Sequence, residues 1–202
     1  MNKKGHLLIT ENYADGLSKR HKFCLKLGCI LPDIFVHTYI VGHTWEDTYR
    51  TICTKMVHLE KTGKNCCLSY LKLGYLLHYM EDYFTYTHNS WFHDGFTAHV
   101  KYEHQLGDYI QKSIENSNEN KVYKIMSAEA IYEEMLRLHE KYASETTAFL
   151  QDYVYASKIA LLVIYNYRVR FVINGEKTLP YLDLMKVCIN TEMQMLQNRR
   201  LS

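Results

Sequence analysis

Two histidine–carboxylate pairs, His78/Asp82 and His99/Glu103, share a spacing of four residues, and His88 lies between them. On a helix, residues four apart lie on one face with Cβ atoms roughly 5–6 Å apart, so each pair can grip one ion from one side. Zinc takes nitrogen from His and oxygen from Asp or Glu at about 2.0–2.2 Å, usually with four ligands. The five residues therefore suggest a zinc site with more than one ion. A lone His or Asp in such a run is most often a satisfied buried side chain or a surface residue. The matched spacing of the whole set carries the argument. His88 lies six positions beyond Asp82, past the expected helix end, where it can turn back toward the same region and serve a neighbouring ion.

Upstream, Asp33 follows Pro32 and His43 follows Gly42. Pro-Asp alone is an ordinary turn signal, and His37, four residues after Asp33, competes with His43. His6 and His21 are weaker candidates still. His93, Asp94 and His104 fit surface roles; His104 lies about 100° around the helix from Glu103. His58 and His139 sit beside Glu60-Lys61 and Glu140-Lys141 and are expected to face solvent. Ten of the eleven histidines lie at or before His104. Metal ligands are therefore expected within 6–104, with 105–202 as helical scaffold.

The elements that must position these residues read as helices throughout. An apolar stripe of Leu7, Leu8, Tyr13 and Leu17 predicts a helix from His6 to about Leu17. After a polar break at Ser18-Lys19-Arg20, a short apolar run from Phe23 to Leu31 is ended by Pro32, which pushes the preceding residue out of the α region. Thr44 with Asp47 three residues on reads as an N-cap, opening a helix to about Lys61 that Gly63 closes. A long apolar helix is expected from Asn65 to about Tyr86, a loop over Thr87–Thr97, and a helix from Ala98 to about Glu115. Ser117–Asn120 is a turn, and Ser127 opens a helix to about Tyr142. Further helices are expected over Glu145–Val172 and Leu179–Gln197, separated by a turn at Asn174-Gly175. No stretch alternates as a strand does. The fold class is all-α, as one domain over residues 1–202.

Bulk properties narrow the function. At 202 residues the chain can bury a core without disulfide staples. Only two prolines interrupt it, consistent with long helices. A net charge of +2 gives no reason to expect a stable nucleic-acid complex. The start, Met1 to His6, lacks the apolar run of a secretory signal. The most apolar stretch, Val154–Ile173, is broken by Lys158, Arg168 and Arg170, so a buried helix suits it better than a membrane span. The six cysteines then read as reduced thiols and the location as cytoplasmic. Oligomeric state is open.

The pattern His-x3-Asp-x5-His followed by His-x3-Glu resembles the core of the zinc-dependent phospholipase C family, which shares its all-α fold with the single-strand-specific zinc nucleases. Asp33 in Ile30-Leu31-Pro32-Asp33, His43, and His6 in Gly5-His6-Leu7-Leu8 match the family's upstream ligands. The resemblance covers about residues 6–105. It implies a phosphodiester hydrolase acting on a phospholipid or related substrate. It also implies one zinc ion on Asp33, His43, His78 and Asp82, and a second on His88, His99 and Glu103. Asp82 would bridge to a third ion held by His6, and Asp33 would double as general base. Family members complete that third site with the amino group and carbonyl of an N-terminal Trp. Here Met1-Asn2 stands at the start, and His21 or the Met1 amine is the expected replacement. A nuclease or phosphomonoesterase on the same core, and a non-catalytic zinc- or partner-binding protein, are the alternatives. Most aromatics near the motif read as core; Trp91 and Phe92, in the loop, are candidates for lining a substrate cleft.

Overall fold

Seven α-helices and one short 3-10 turn account for the regular structure of the described residues, and no strand occurs among them. The structure is a computed structural model that describes residues 1–34, 44–114, 125–145 and 148–175. The expected turn at Ser117–Asn120, the expected helix over Leu179–Gln197, and His37, His43 and Cys188 lie outside those residues. The helices are α1 (Lys3–Tyr13), α2 (Lys19–Ile30), α3 (Trp45–Thr62), α4 (Cys67–Asp82), α5 (Gly95–Ile114), α6 (Ala128–Ser144) and α7 (Phe149–Gly175). The architecture is all-α.

Polar caps set where several helices begin. The side chains of Asn2, Ser18, Thr44 and Ser127 each accept a hydrogen bond from a backbone N–H in the first turn of α1, α2, α3 and α6, satisfying an otherwise orphaned donor. Ser18 thus starts a helix where the polar break was expected, and the apolar run after it lies in the twelve-residue α2 as far as Ile30, with Leu31, still in the α region despite Pro32, as its C-cap.

Helix α7 is buried over most of its 27 residues and forms the central post, as a helix apolar on all sides must. It starts later than expected, at Phe149 rather than Glu145. It also runs through Asn174-Gly175, where a turn was expected, because Asn174 Nδ2 donates to the carbonyls of Glu60 and Gly63 at 2.7 and 2.9 Å. No helix of the described residues is long and apolar enough to cross a membrane.

Two glycines bring α2 and α4 into backbone contact. A Cβ on Gly28 would lie 2.0 Å from the Leu71 carbonyl oxygen, and one on Gly74 would lie 2.0 Å from that of Leu25. Only hydrogen in place of a side chain permits this approach. It carries the Cys29 carbonyl and the α2 C-terminus, where Asp33 follows, against the α4 face bearing His78 and Asp82.

Helix α4 ends at Asp82, earlier than the expected Tyr86. Thr85 offers both its N–H and its Oγ1 to the Asp82 carbonyl, each at 2.9 Å. That tight turn satisfies a terminal acceptor and leads into the 3-10 turn Tyr86–His88. Part of the expected Thr87–Thr97 loop is therefore ordered as a turn that aims His88 inward.

Candidate metal centre

Asp82 is the hub. Its carboxylate is 1% exposed and gathers donors from four segments. His6 Nε2 of α1 lies 3.2 Å from Oδ1; His78 Nε2 of α4 and His88 Nε2 of the 3-10 turn lie 3.2 and 3.5 Å from Oδ2. The Met1 ammonium donates to Oδ1 at 2.5 Å. Glu103 of α5 faces the same space: its Oε1 is 2.9 Å from the Met1 nitrogen, 3.0 Å from His99 Nε2 and 3.6 Å from His88 Nε2. Asp33 Oδ1 lies 3.6 Å from His78 Nε2. The rings of His6 and His78 stack with centroids 4.1 Å apart.

Every buried ring turns Nε2 inward because its Nδ1 is held from outside. His6 Nδ1 meets the Glu81 carboxylate at 2.5 Å, His78 Nδ1 meets the Cys29 carbonyl at 2.9 Å, and His88 Nδ1 meets Thr85 Oγ1 at 2.8 Å. Such outer contacts fix ring orientation and tautomer and turn the inner nitrogen toward the carboxylates, where a cation would bind.

Ligand-competent atoms from His6, Asp33 and His78 lie within 4.8 Å of one another, as do those from His88, His99 and Glu103, and those from His6, Cys29 and Glu81. The last trio is buried completely. Since His6 Nδ1 is taken up by Glu81, we read Glu81 and Cys29 as the support of His6. Thr10 Oγ1 donates to the Cys29 sulfur at 3.3 Å, closing that corner.

The electrostatics call for positive charge. Burial alone would raise the Asp82 carboxyl, but His88, the Met1 amine, His6 and His78 outweigh it and hold the group well below the usual carboxylate range. Burial would likewise depress the Met1 amine, yet Asp82 and Glu103 lift it to about 11. The buried Asp82 and the half-buried Glu103 thus clasp an ammonium, and the same pocket is rimmed by inward nitrogen donors. That donor set fits a divalent cation that accepts both His and carboxylate ligands. Burial pushes His88 down to about 3, favouring the neutral, ligating ring. Asp33 is raised, first by burial, and at 17% exposure its side chain is the more open carboxylate beside the 1% of Asp82.

Of the eight residues expected as ligands, seven meet here: His6, Asp33, His78, Asp82, His88, His99 and Glu103. His43 lies outside the described residues. Of the two expected replacements for the terminal Trp, the Met1 amine is in the cluster. His21 instead stacks on Tyr70 with centroids 4.4 Å apart, and no metal-competent group of the described residues contains it.

His104 is exposed, touching Asn2, as its helical angle implied. His139 is a correction. It is 6% exposed, stacks on Trp45 at 3.7 Å between centroids, and its Nε2 donates to Asn89 Oδ1 at 2.7 Å. Asn89 in turn donates to the carbonyls of Tyr83 and Thr85, so His139 braces the turn that presents His88. Trp91 packs on His139 and Tyr142, whereas Phe92 meets His99 edge-on at 5.8 Å.

Sequence reasoning also passed over Asp152 at the start of α7. Fully buried, it accepts from the Tyr86 N–H at 3.1 Å and from the hydroxyls of Tyr102 and Tyr142 at 2.9 and 2.7 Å. It joins the His88 turn, the neighbour of Glu103, and α6. No local pattern announces it, since two of its partners are more than 49 residues away.

Fold and site together define an all-helical protein with a buried, carboxylate-centred histidine cluster suited to metal. The model of the zinc-dependent phospholipase C family matches residues 5–149, and the chain belongs to that family. No curated protein and no solved structure matches the chain.

Proposed function

We propose that the protein is a phosphodiester hydrolase of the phospholipase C type, acting on a phospholipid or related phosphodiester through two or three zinc ions. The observation that supports this most is the Asp82 carboxylate ringed by His6, His78 and His88 through their Nε2 atoms, with Glu103 and His99 completing a second group. A carboxylate with both oxygens engaged on different sides is suited to bridging. His88, His99 and Glu103 would hold one ion, and Asp33, His78 and His6 would share the others with Asp82. Bound zinc would supply Lewis acidity toward the phosphate oxygens and acidify a water.

The chain's own residues would do the rest. Asp33, more open than Asp82, would take the proton of the attacking water at its Oδ, and burial, by raising it, makes it a better base. Glu81, the Cys29 carbonyl and Thr85 would keep the three rings aimed inward. Phe92, beside His99, would shield one wall from water.

The test is metal analysis by mass spectrometry, paired with hydrolysis of a chromogenic phosphocholine diester and of single-stranded DNA. Two or three zinc ions per chain with turnover of the diester is the expected result. Less than one zinc per chain would overturn the reading, and zinc-loaded protein inert to both substrates would make it a binding protein. Preference for DNA would make it a nuclease.

A further inference from the structure

A second concavity lies outside the metal cluster, where the end of α2 meets α3 and α4. Its volume is about 550 Å³, within the usual range of small-molecule sites. Leu31, Leu59, Leu71 and Leu76 form its walls with the ring of Tyr75. Polar groups lie at the edge, where Lys55 and Lys72 are both exposed. Lys55 Nζ lies over the Tyr75 ring at 5.2 Å, its stem covering apolar surface while its charge stays at the mouth. Among the described residues that line the groove, none is acidic.

Apolar walls under a cationic rim complement a molecule with a long apolar body and an anionic end. A single flexible hydrocarbon chain fits a groove of about 550 Å³, and the absence of acidic groups among its described lining residues favours an anionic end over a cationic one. We propose that this groove binds a single-chain anionic amphiphile, a long-chain fatty carboxylate. Its hydrocarbon lies between the leucines, and its carboxylate sits between Lys55 and Lys72.

The site is separate from the metal ligands but not remote. Leu71, Tyr75, His78 and Asp82 follow one another along a single stripe of α4, so the groove begins about one turn before the cluster. The Tyr75 and Tyr79 hydroxyls, 3.3 Å apart, lie on that path. None of the groove residues belongs to the ligand set, and the proposal stands whether or not the protein is a hydrolase.

Calorimetric titration of the zinc-loaded protein with laurate, hexanoate and dodecyltrimethylammonium, each below its micellar concentration, tests the site. One laurate per chain is expected, with no measurable binding of hexanoate and about tenfold weaker binding of the cationic amphiphile. Thr54→Trp, at an exposed lining position, fills the groove and should abolish laurate binding. Charge reversal at both exposed lysines, Lys55→Glu with Lys72→Glu, should weaken it about tenfold, the scale of two exposed ion pairs. Zinc content serves as the folding control and should be unchanged in both variants. Non-saturating uptake, undiminished binding in Thr54→Trp, or equal affinity for laurate and its cationic counterpart would each overturn the assignment. The same holds if the lysine reversals leave laurate affinity unaltered.

Discussion

Gly74→Ala tests whether the backbone contact between α2 and α4 sets the metal centre. By helix propensity alone, the substitution should stabilise α4 by about 1 kcal/mol. The structure predicts the opposite sign. The new methyl would sit 2.0 Å from the Leu25 carbonyl oxygen and 2.8 Å from the Cys29 nitrogen. Both are backbone atoms of a helix and cannot rotate away. Reaching even 3.0 Å requires the two helices to part by about 1 Å. Overpacking of this kind costs about 1–3 kcal/mol, and the rigid backbone puts this case at the upper end. After the propensity gain, a net loss of about 1–2 kcal/mol remains. The same movement draws the Cys29 carbonyl from His78 Nδ1, now 2.9 Å apart, beyond hydrogen-bonding reach. Losing such an outer contact typically lowers metal affinity by about 10–100-fold. Urea denaturation and zinc competition with a chromogenic chelator measure the two effects. A variant as stable as the parent, with unchanged zinc affinity, would refute the reasoning.

Further predictions follow from the same geometry. Asp82→Ala should lower zinc content and any hydrolytic activity together, because it removes the residue on which three histidines converge; mass spectrometry of the purified variant decides. Thr85→Val combined with Thr87→Val, which deletes both hydroxyls at His88 Nδ1, should weaken zinc binding about 10–100-fold while leaving the helical circular-dichroism signal intact. Burial holds the His139 ring down to about 4, so its native state excludes a proton that the unfolded chain takes up near 6.5. Its contribution is present above pH 6.5 and is lost as pH falls toward 4. Subtracting the pH-dependent stability of His139→Phe from that of the parent should reveal a difference of about 3 kcal/mol across that window. For Asp152 the sign reverses: burial raises it to about 6, so its contribution is present below pH 4 and lost as pH rises through 6. Asp152→Asn should remove that opposite slope in the same urea series.

What could be read from the sequence was what repeats within a few residues. His78/Asp82 and His99/Glu103 announce themselves because one helical turn brings each pair together. The N-caps at Ser127 and Thr44 are local for the same reason. The supports of the site are not local: Glu81 reaches His6 across 75 positions, and the Cys29 carbonyl reaches His78 across 49. Glu81 sits beside Asp82, about 100° around the helix, so its role depends on α1 lying there. The charges that follow His139 are a misleading signal. Its own place in the series Met135, Leu138, His139 and Tyr142, all buried on one face of α6, was the better signal. The early end of α4 rests on Thr85 folding back onto the Asp82 carbonyl, which apolar periodicity does not register.

Asp152 has a consequence for how the molecule comes apart. The turn carrying His88 cannot swing outward without releasing the Tyr86 amide from Asp152. Doing so would leave a carboxylate deep in the core short of a donor. Opening the turn that carries His88 and loosening the first turn of α7 therefore belong to one cooperative event. The amide of Tyr86 should exchange its hydrogen as slowly as the amides of the central helix, and any metal bound beside His88 should be kinetically guarded from a chelator by a residue that never touches it.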